Sequence, residues 1–142
     1  MTYSRHFAYR QASATGWTRV DMLLALYDAT LIAVEQGQTA SQAHHDKPLI
    51  EARFRTQRLI AELMSGIDPE QGQLPQNIQR LLAYCLEQIC GDTEEEWAAV
   101  AAIVTSLRDS FRAIRDQAVQ LEQAGQIPPL ELGASDLMLA VV

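Results

Sequence analysis

Nowhere in this sequence do apolar residues run on for the roughly 18 positions that a membrane-spanning helix needs. The opening MTYSRHFAYRQ also lacks the apolar stretch of a secretory leader, so a cytoplasmic location is expected. Basic residues are scarce: 11 Lys and Arg stand against 18 Asp and Glu, for a formal charge of -7. That balance argues against a nucleic-acid partner, because phosphate binding requires a concentrated basic surface. The local exception, Arg53, Arg55 and Arg58, is interleaved with Glu51 and Glu62 and reads as a solvated helix face. Cysteine is limited to Cys85 and Cys90, five apart on a predicted helix, which turns their side chains away from one another. Both read as reduced thiols in or near the core.

The motifs of chemistry are missing too. There is no glycine-rich phosphate loop, no nucleophile elbow, no Cys-x-x-Cys, and no Glu-x-x-His pair of the kind that holds a di-iron centre in a helical bundle. His6, His44 and His45 fall outside the predicted helix cores, where a solvent-exposed histidine is the expected reading. Asp21, Asp28 and Glu35 recur at intervals of seven and so line one stripe of a helix, a solvated edge rather than an acid/base pair. No catalytic, cofactor-binding or metal-binding residue is assigned, and the expectation is a protein that is not an enzyme and uses no cofactor.

What is present is helical periodicity. Apolar residues recur at three and four almost everywhere, and β-branched alternation between turns is nearly absent. The expected fold is all-α, an antiparallel up-and-down four-helix bundle, as a single domain: an N-terminal arm over 1–17, the bundle over 18–124, and a short apolar tail over 125–142. Thr18 caps the first helix, with Asp21 three residues on. This helix runs through at least Gln36, and Gly37 offers an end. Asp46 caps the second, which tolerates Pro48 in its first turn and finishes near Gly66. The turn-rich IDPEQGQLP leads to a third helix opened by Pro75, with Gly91 as a C′ residue. Thr93 and Glu96 form a capping box for the fourth, whose Trp97, Val100, Val104, Leu107, Phe111, Ile114, Ala118 and Leu121 make a heptad seam about 36 Å long at 1.5 Å per residue. Gly125, Pro128 and Pro129 stop it.

The first helix carries more apolar surface than one face requires. Val20, Leu23, Leu24, Tyr27, Leu31 and Val34 suffice for a bundle core, yet Met22, Leu26, Ala29 and Ala33 form a second strip, with Ala25 and Ile32 at its margin. Small residues there let another helix approach closely, so the strip reads either as additional core or as a groove for a partner's amphipathic helix.

In order and spacing the segments LLALYD, RLIAELMSGID, DPEQGQLPQNI, LLAYCLEQI and LRDSFRAI, after a tyrosine-bearing arm, resemble the FliS family of flagellin export chaperones. The chain departs from the family pattern at Thr18-Arg19-Val20, at Ala83, at Gln88 and at Phe111. The resemblance implies a cytoplasmic helical bundle that binds the C-terminal helices of flagellin, or a related secreted helical client, and prevents premature polymerisation. Together with the strip of Met22, Leu26, Ala29 and Ala33 it gives an expected partner-binding set of Tyr9, Met22, Leu26, Tyr27, Ala29, Ala33, Leu63 and Tyr84, and it implies the arm bearing Tyr3, Phe7 and Tyr9 as a movable cover. The alternative is a non-enzymatic helical-bundle adaptor, or a weak homodimer, serving another secretion component.

Overall fold

The computed structural model describes residues 18–126. The expected arm with Tyr3, Phe7 and Tyr9, and the tail with Pro128 and Pro129, lie outside the described residues. The described chain is all-helical: α1 (Arg19–Ala43), α2 (Asp46–Ser65), a 3-10 turn (Pro69–Gln71), α3 (Gln73–Gln88), α4 (Glu94–Ala113) and α5 (Arg115–Gln123).

Both N-terminal caps form. The Asp21 N–H donates to Thr18 Oγ1 at 3.4 Å and the Thr18 N–H donates back to the Asp21 carboxylate at 3.3 Å. Thr93 and Glu96 repeat the exchange at the start of α4. Each cap contributes about 1 kcal/mol by satisfying backbone donors that the helix itself leaves unpaired.

Other boundaries shift from their expected places. Gly37 does not end the first helix, which continues to Ala43 and closes on His44 in the left-handed region at φ 54°. The His45 N–H then returns to the Ala40 carbonyl at 3.0 Å. His45, not Asp46, is the N-cap of α2, and it makes no side-chain cap bond; Asp46 sits in the first turn, facing the positive end of the helix dipole. The third helix starts at Gln73 and leaves Pro75 within its first turn. Gly91 does not adopt a left-handed conformation. Instead its carbonyl accepts from Trp97 Nε1 at 3.3 Å and from Arg53 Nη2 at 3.1 Å. The fourth helix breaks at Ile114 (φ -103°, ψ 8°), so the heptad seam is buried only from Trp97 to Leu107, with Phe111 half-buried. Ile114 and Leu121, assigned to the seam, are exposed.

Packing explains the surplus apolar surface of α1. This helix contacts both α2 and α4, and α3 contacts the same two helices. An element flanked on two sides must be apolar on two sides, and Met22, Leu26 and Ala33 are buried along with Val20, Tyr27 and Val34. Of the second strip, Met22, Leu26 and Ala33 are closed off in this structure and Ala29 is half-buried. Tyr27 stacks on Phe111 with ring centroids 5.6 Å apart, tying α1 to α4. α1 and α4 run in opposite directions: Asp21 meets Arg115 at one end, while at the other Ser41 Oγ donates to the Asp92 carbonyl at 2.7 Å and Gln42 Nε2 to Glu94 at 2.5 Å.

Two groups of charges differ from the sequence reading for the same reason, a neighbour brought in by the fold. Asp21 and Asp28 are not a solvated edge; Arg115 pairs with Asp21 at 2.8 Å, and Arg108 and Arg112 approach Asp28 at 3.6 and 3.8 Å. Arg53 leaves the solvated arginine face. Its Nε donates to the Ile89 carbonyl at 2.6 Å and its Nη2 to Asp92 Oδ1 at 2.6 Å, placing a cation at the negative end of α3. Of the two cysteines, both unpaired, Cys85 is buried and Cys90 exposed.

Candidate partner-binding surface

The structure distributes the expected partner-binding residues unevenly. Leu26, Tyr27, Ala33 and Leu63 belong to the main core cluster, with Ala29 half-buried against it, and Met22 is buried outside that cluster. Burial pushes the Tyr27 phenol up to about 12, with a smaller contribution from Cys85 beside it, and pushes the Cys85 thiol up to about 11. Tyr84 alone among the described members is open to solvent, at 44% exposure. Tyr9 lies outside the described residues. Leu26, Tyr27, Ala33 and Leu63 thus belong to one interior cluster, while Tyr84 stands apart on α3.

The accessible relief runs along the outer ridge of α1, which is flanked by two grooves. One lies against α4 and holds about 790 Å³, with Leu31, Glu35 and Gln38 on one wall and Ala101, Ala102 and Thr105 among the small residues on the other. It is open beside the second half of α1; beside the first half, Asp28 and Asp21 meet the arginines of α4 and α5. The second groove, about 640 Å³, lies against α2 between Ile32, Gln36 and Thr39 on α1 and Pro48, Ala52 and Arg55 on α2. Ile32, placed at the margin of the apolar strip from the sequence, is 52% exposed at its lip. Arg55 also lines this groove, and its Nε is buried without a hydrogen-bond partner.

Beyond the grooves, Phe54 is 66% and Leu74 70% exposed, with Ile50 and Leu81 also open. Leu74, Leu81 and Tyr84, at steps of seven and three, share one stripe of α3. The sequence reading missed Phe54 and Leu74 because a single chain does not show which apolar residues lack an internal neighbour. The chemistry available on these surfaces is that of packing: apolar side chains, small residues that allow close approach, and the carboxylates Glu35 and Glu51 at the groove edges. Among the described residues no group of three or more His, Cys, Asp or Glu side chains is placed to hold a metal ion. No described helix is long and apolar enough to cross a membrane.

Comparison with known proteins supplies what these surfaces cannot. Neither the curated proteins nor the solved structures contain a match. The family model of the flagellar protein FliS matches residues 2–118, a span that takes in α1 to α4, the first turn of α5 and every residue of the expected partner-binding set. On that match, the chain belongs to the FliS family of flagellar proteins.

Proposed function

We propose that this protein is a cytoplasmic export chaperone that binds the C-terminal helical segment of flagellin and keeps it from polymerising before export. Its four long helices act as an antiparallel up-and-down bundle, a rigid non-enzymatic platform for a client helix. The observation that carries this reading is the family match over residues 2–118. Two features of the surface support it. Exposed apolar side chains, with Ile32 at a groove lip and Tyr84 on α3, offer anchors of the kind an amphipathic helix meets at spacings of three and four. The acidic balance of the chain, at -7, keeps a complex with an apolar client soluble.

Within the proposed binding set, Tyr84 meets the client directly. Met22, Leu26, Tyr27, Ala29, Ala33 and Leu63 support the faces that carry the contact, and Tyr9 belongs to the covering arm. Because the client orders as it binds, part of the contact energy offsets that ordering, and affinity stays moderate for the area covered.

Titration calorimetry of the full chain with a synthetic flagellin C-terminal peptide tests this. Binding is expected, and Ile32→Glu and Tyr84→Ala should each weaken it about tenfold, equivalent to about 1.4 kcal/mol, without shifting the thermal melt. Absence of heat and of a mobility shift at peptide concentrations on the order of tens of micromolar, where a Kd near 1 μM would saturate, counts against the flagellin client.

A further inference from the structure

The groove between α1 and α2 holds a cation without a counterion. Arg55 lines it, and the Arg55 Nε is buried with no hydrogen-bond partner. Glu35 and Glu51 line the same groove, yet among the described residues no carboxylate pairs with this guanidinium. Glu51 stands one turn before Arg55, in the order that favours pairing along a helix, and is turned out to solvent. Arg53, two residues earlier, shows the contrast: its guanidinium is taken up by Ile89, Gly91 and Asp92. A buried charged donor that lacks an acceptor is destabilising, so an acceptor from outside the described fold, water or a partner, belongs at Arg55.

The surroundings favour a partner. Ile32 is 52% exposed at the lip, and Ala40, Ala43, Pro48 and Ala52 add apolar surface that gives water little to bond. An apolar helix face laid there displaces loosely held water, and a carboxylate carried on that face matches the guanidinium, whose planar fork offers two N–H groups at once. Glu35 and Glu51 limit the choice. A second acid on the partner would face a like charge, so the segment that fits carries one carboxylate among apolar, neutral or basic residues.

We infer that Arg55 is the polar anchor of the α1–α2 groove, and that it recognises a client helix presenting a single Asp or Glu beside an apolar side chain packed on Ile32. This recognition rests on the chaperone reading and adds to it the chemistry that the groove selects.

Calorimetry of the full chain with the synthetic flagellin C-terminal peptide tests the pairing, alongside variant peptides in which each Asp or Glu is replaced in turn by its amide. Arg55→Gln should weaken binding of the parent peptide about tenfold, and one of the amide replacements should do the same. Together the two changes should cost about tenfold rather than about a hundredfold, the mark of a bond they share. Because Arg55→Gln removes an unpartnered buried charge, the thermal melt should not fall. A parent peptide that binds, with no acidic position coupled to Arg55, overturns the pairing and leaves the chaperone reading standing. Weaker binding that comes with a lowered melt and no coupling marks a structural role and overturns the pairing equally. A parent peptide that does not bind at all removes the chaperone reading first, and the pairing with it.

Discussion

Replacing Gly37 by alanine sets two physical effects against each other, and the structure decides the sign. In a helix interior alanine is favoured over glycine by about 1 kcal/mol, so sequence alone predicts a gain. The fold puts an obstacle there. A methyl group on Gly37 would lie 2.5 Å from Trp97 Cε3 and 2.6 Å from Cη2, and closer still to Cζ3. Carbon atoms rest about 3.5–4.0 Å apart, so the overlap is roughly 1 Å over three ring atoms. The indole has nowhere to retreat: Trp97 is fully buried and its Nε1 is anchored on the Gly91 carbonyl at 3.3 Å. Overpacking of this kind costs about 1–3 kcal/mol, and a rigid ring places this site at the upper end. Subtracting the propensity gain leaves a net loss of about 2 kcal/mol, or roughly 6–8 °C in melting temperature for a domain of this size. Thermal and urea melts followed by far-UV circular dichroism measure it. In a Trp97→Leu background the penalty should vanish, giving a coupling of at least about 1 kcal/mol in the double-mutant cycle. A Gly37→Ala protein that melts at or above the parent temperature would refute the close contact and with it the role given to glycine.

Other substitutions probe the remaining contacts. Leu26→Glu places an unpaired carboxylate at a buried position and should cost more than about 4 kcal/mol, enough to abolish a cooperative melt; a well-folded variant with impaired peptide binding would instead restore Leu26 to an open groove. Arg53→Leu removes the donor shared by Ile89, Gly91 and Asp92 and should destabilise by about 2–3 kcal/mol in urea titrations, with an effect under about 0.5 kcal/mol contradicting that cap. Thr56 Oγ1 is buried without a partner, so Thr56→Val is expected to raise stability by roughly 1 kcal/mol, and a loss would indicate a hydrogen bond to the hydroxyl. The hydrogen bond from Arg115 holds the Asp21 carboxyl below its usual range, with burial opposing and the Thr18 contacts assisting. A depressed folded value stabilises above the unfolded pKa of about 3.9 and is lost as pH falls through the lower folded value, so Asp21→Asn should flatten the acid limb of the stability curve below about pH 4.

What could be read in advance, and what could not, divides along the range of the interaction. The Thr18 and Thr93 caps are local, encoded within four residues, and both appear. The helical content and the buried seam from Trp97 to Leu107 follow from periodicity in the same way. Gly37 was misplaced because propensity speaks only of the helix it sits in, whereas Trp97, 60 positions on in the sequence, determines why a side chain is absent. The break at Ile114 carries no proline or glycine to announce it. Arg53 and Asp21 gained partners 36 and 94 residues away, which no window along the chain contains. The second strip of α1 left core and groove equally open in the sequence, because a helical wheel counts apolar positions without saying how many neighbours will cover them; Met22, Leu26 and Ala33 are buried. The accessible margin, Ile32, and the stripe through Tyr84 emerged only once the packing of α1 and α3 was known.

The pairing of Asp21 with Arg115 and of Asp28 with Arg108 works as a vernier between α1 and its antiparallel neighbours. The fit of Trp97 against Gly37 already disfavours a slide of one heptad, and the charges act on the same alignment. Sliding one way would set Asp28 against Arg115 and Glu35 against Arg108 but Asp21 against Glu122, two like charges; sliding the other way would set Asp21 against Arg108 and leave Asp28 facing Ala101. One misalignment adds a like-charge contact and the other forfeits an attraction, so these surface side chains, which add little to the depth of the native well, reinforce the alignment that the buried ring selects.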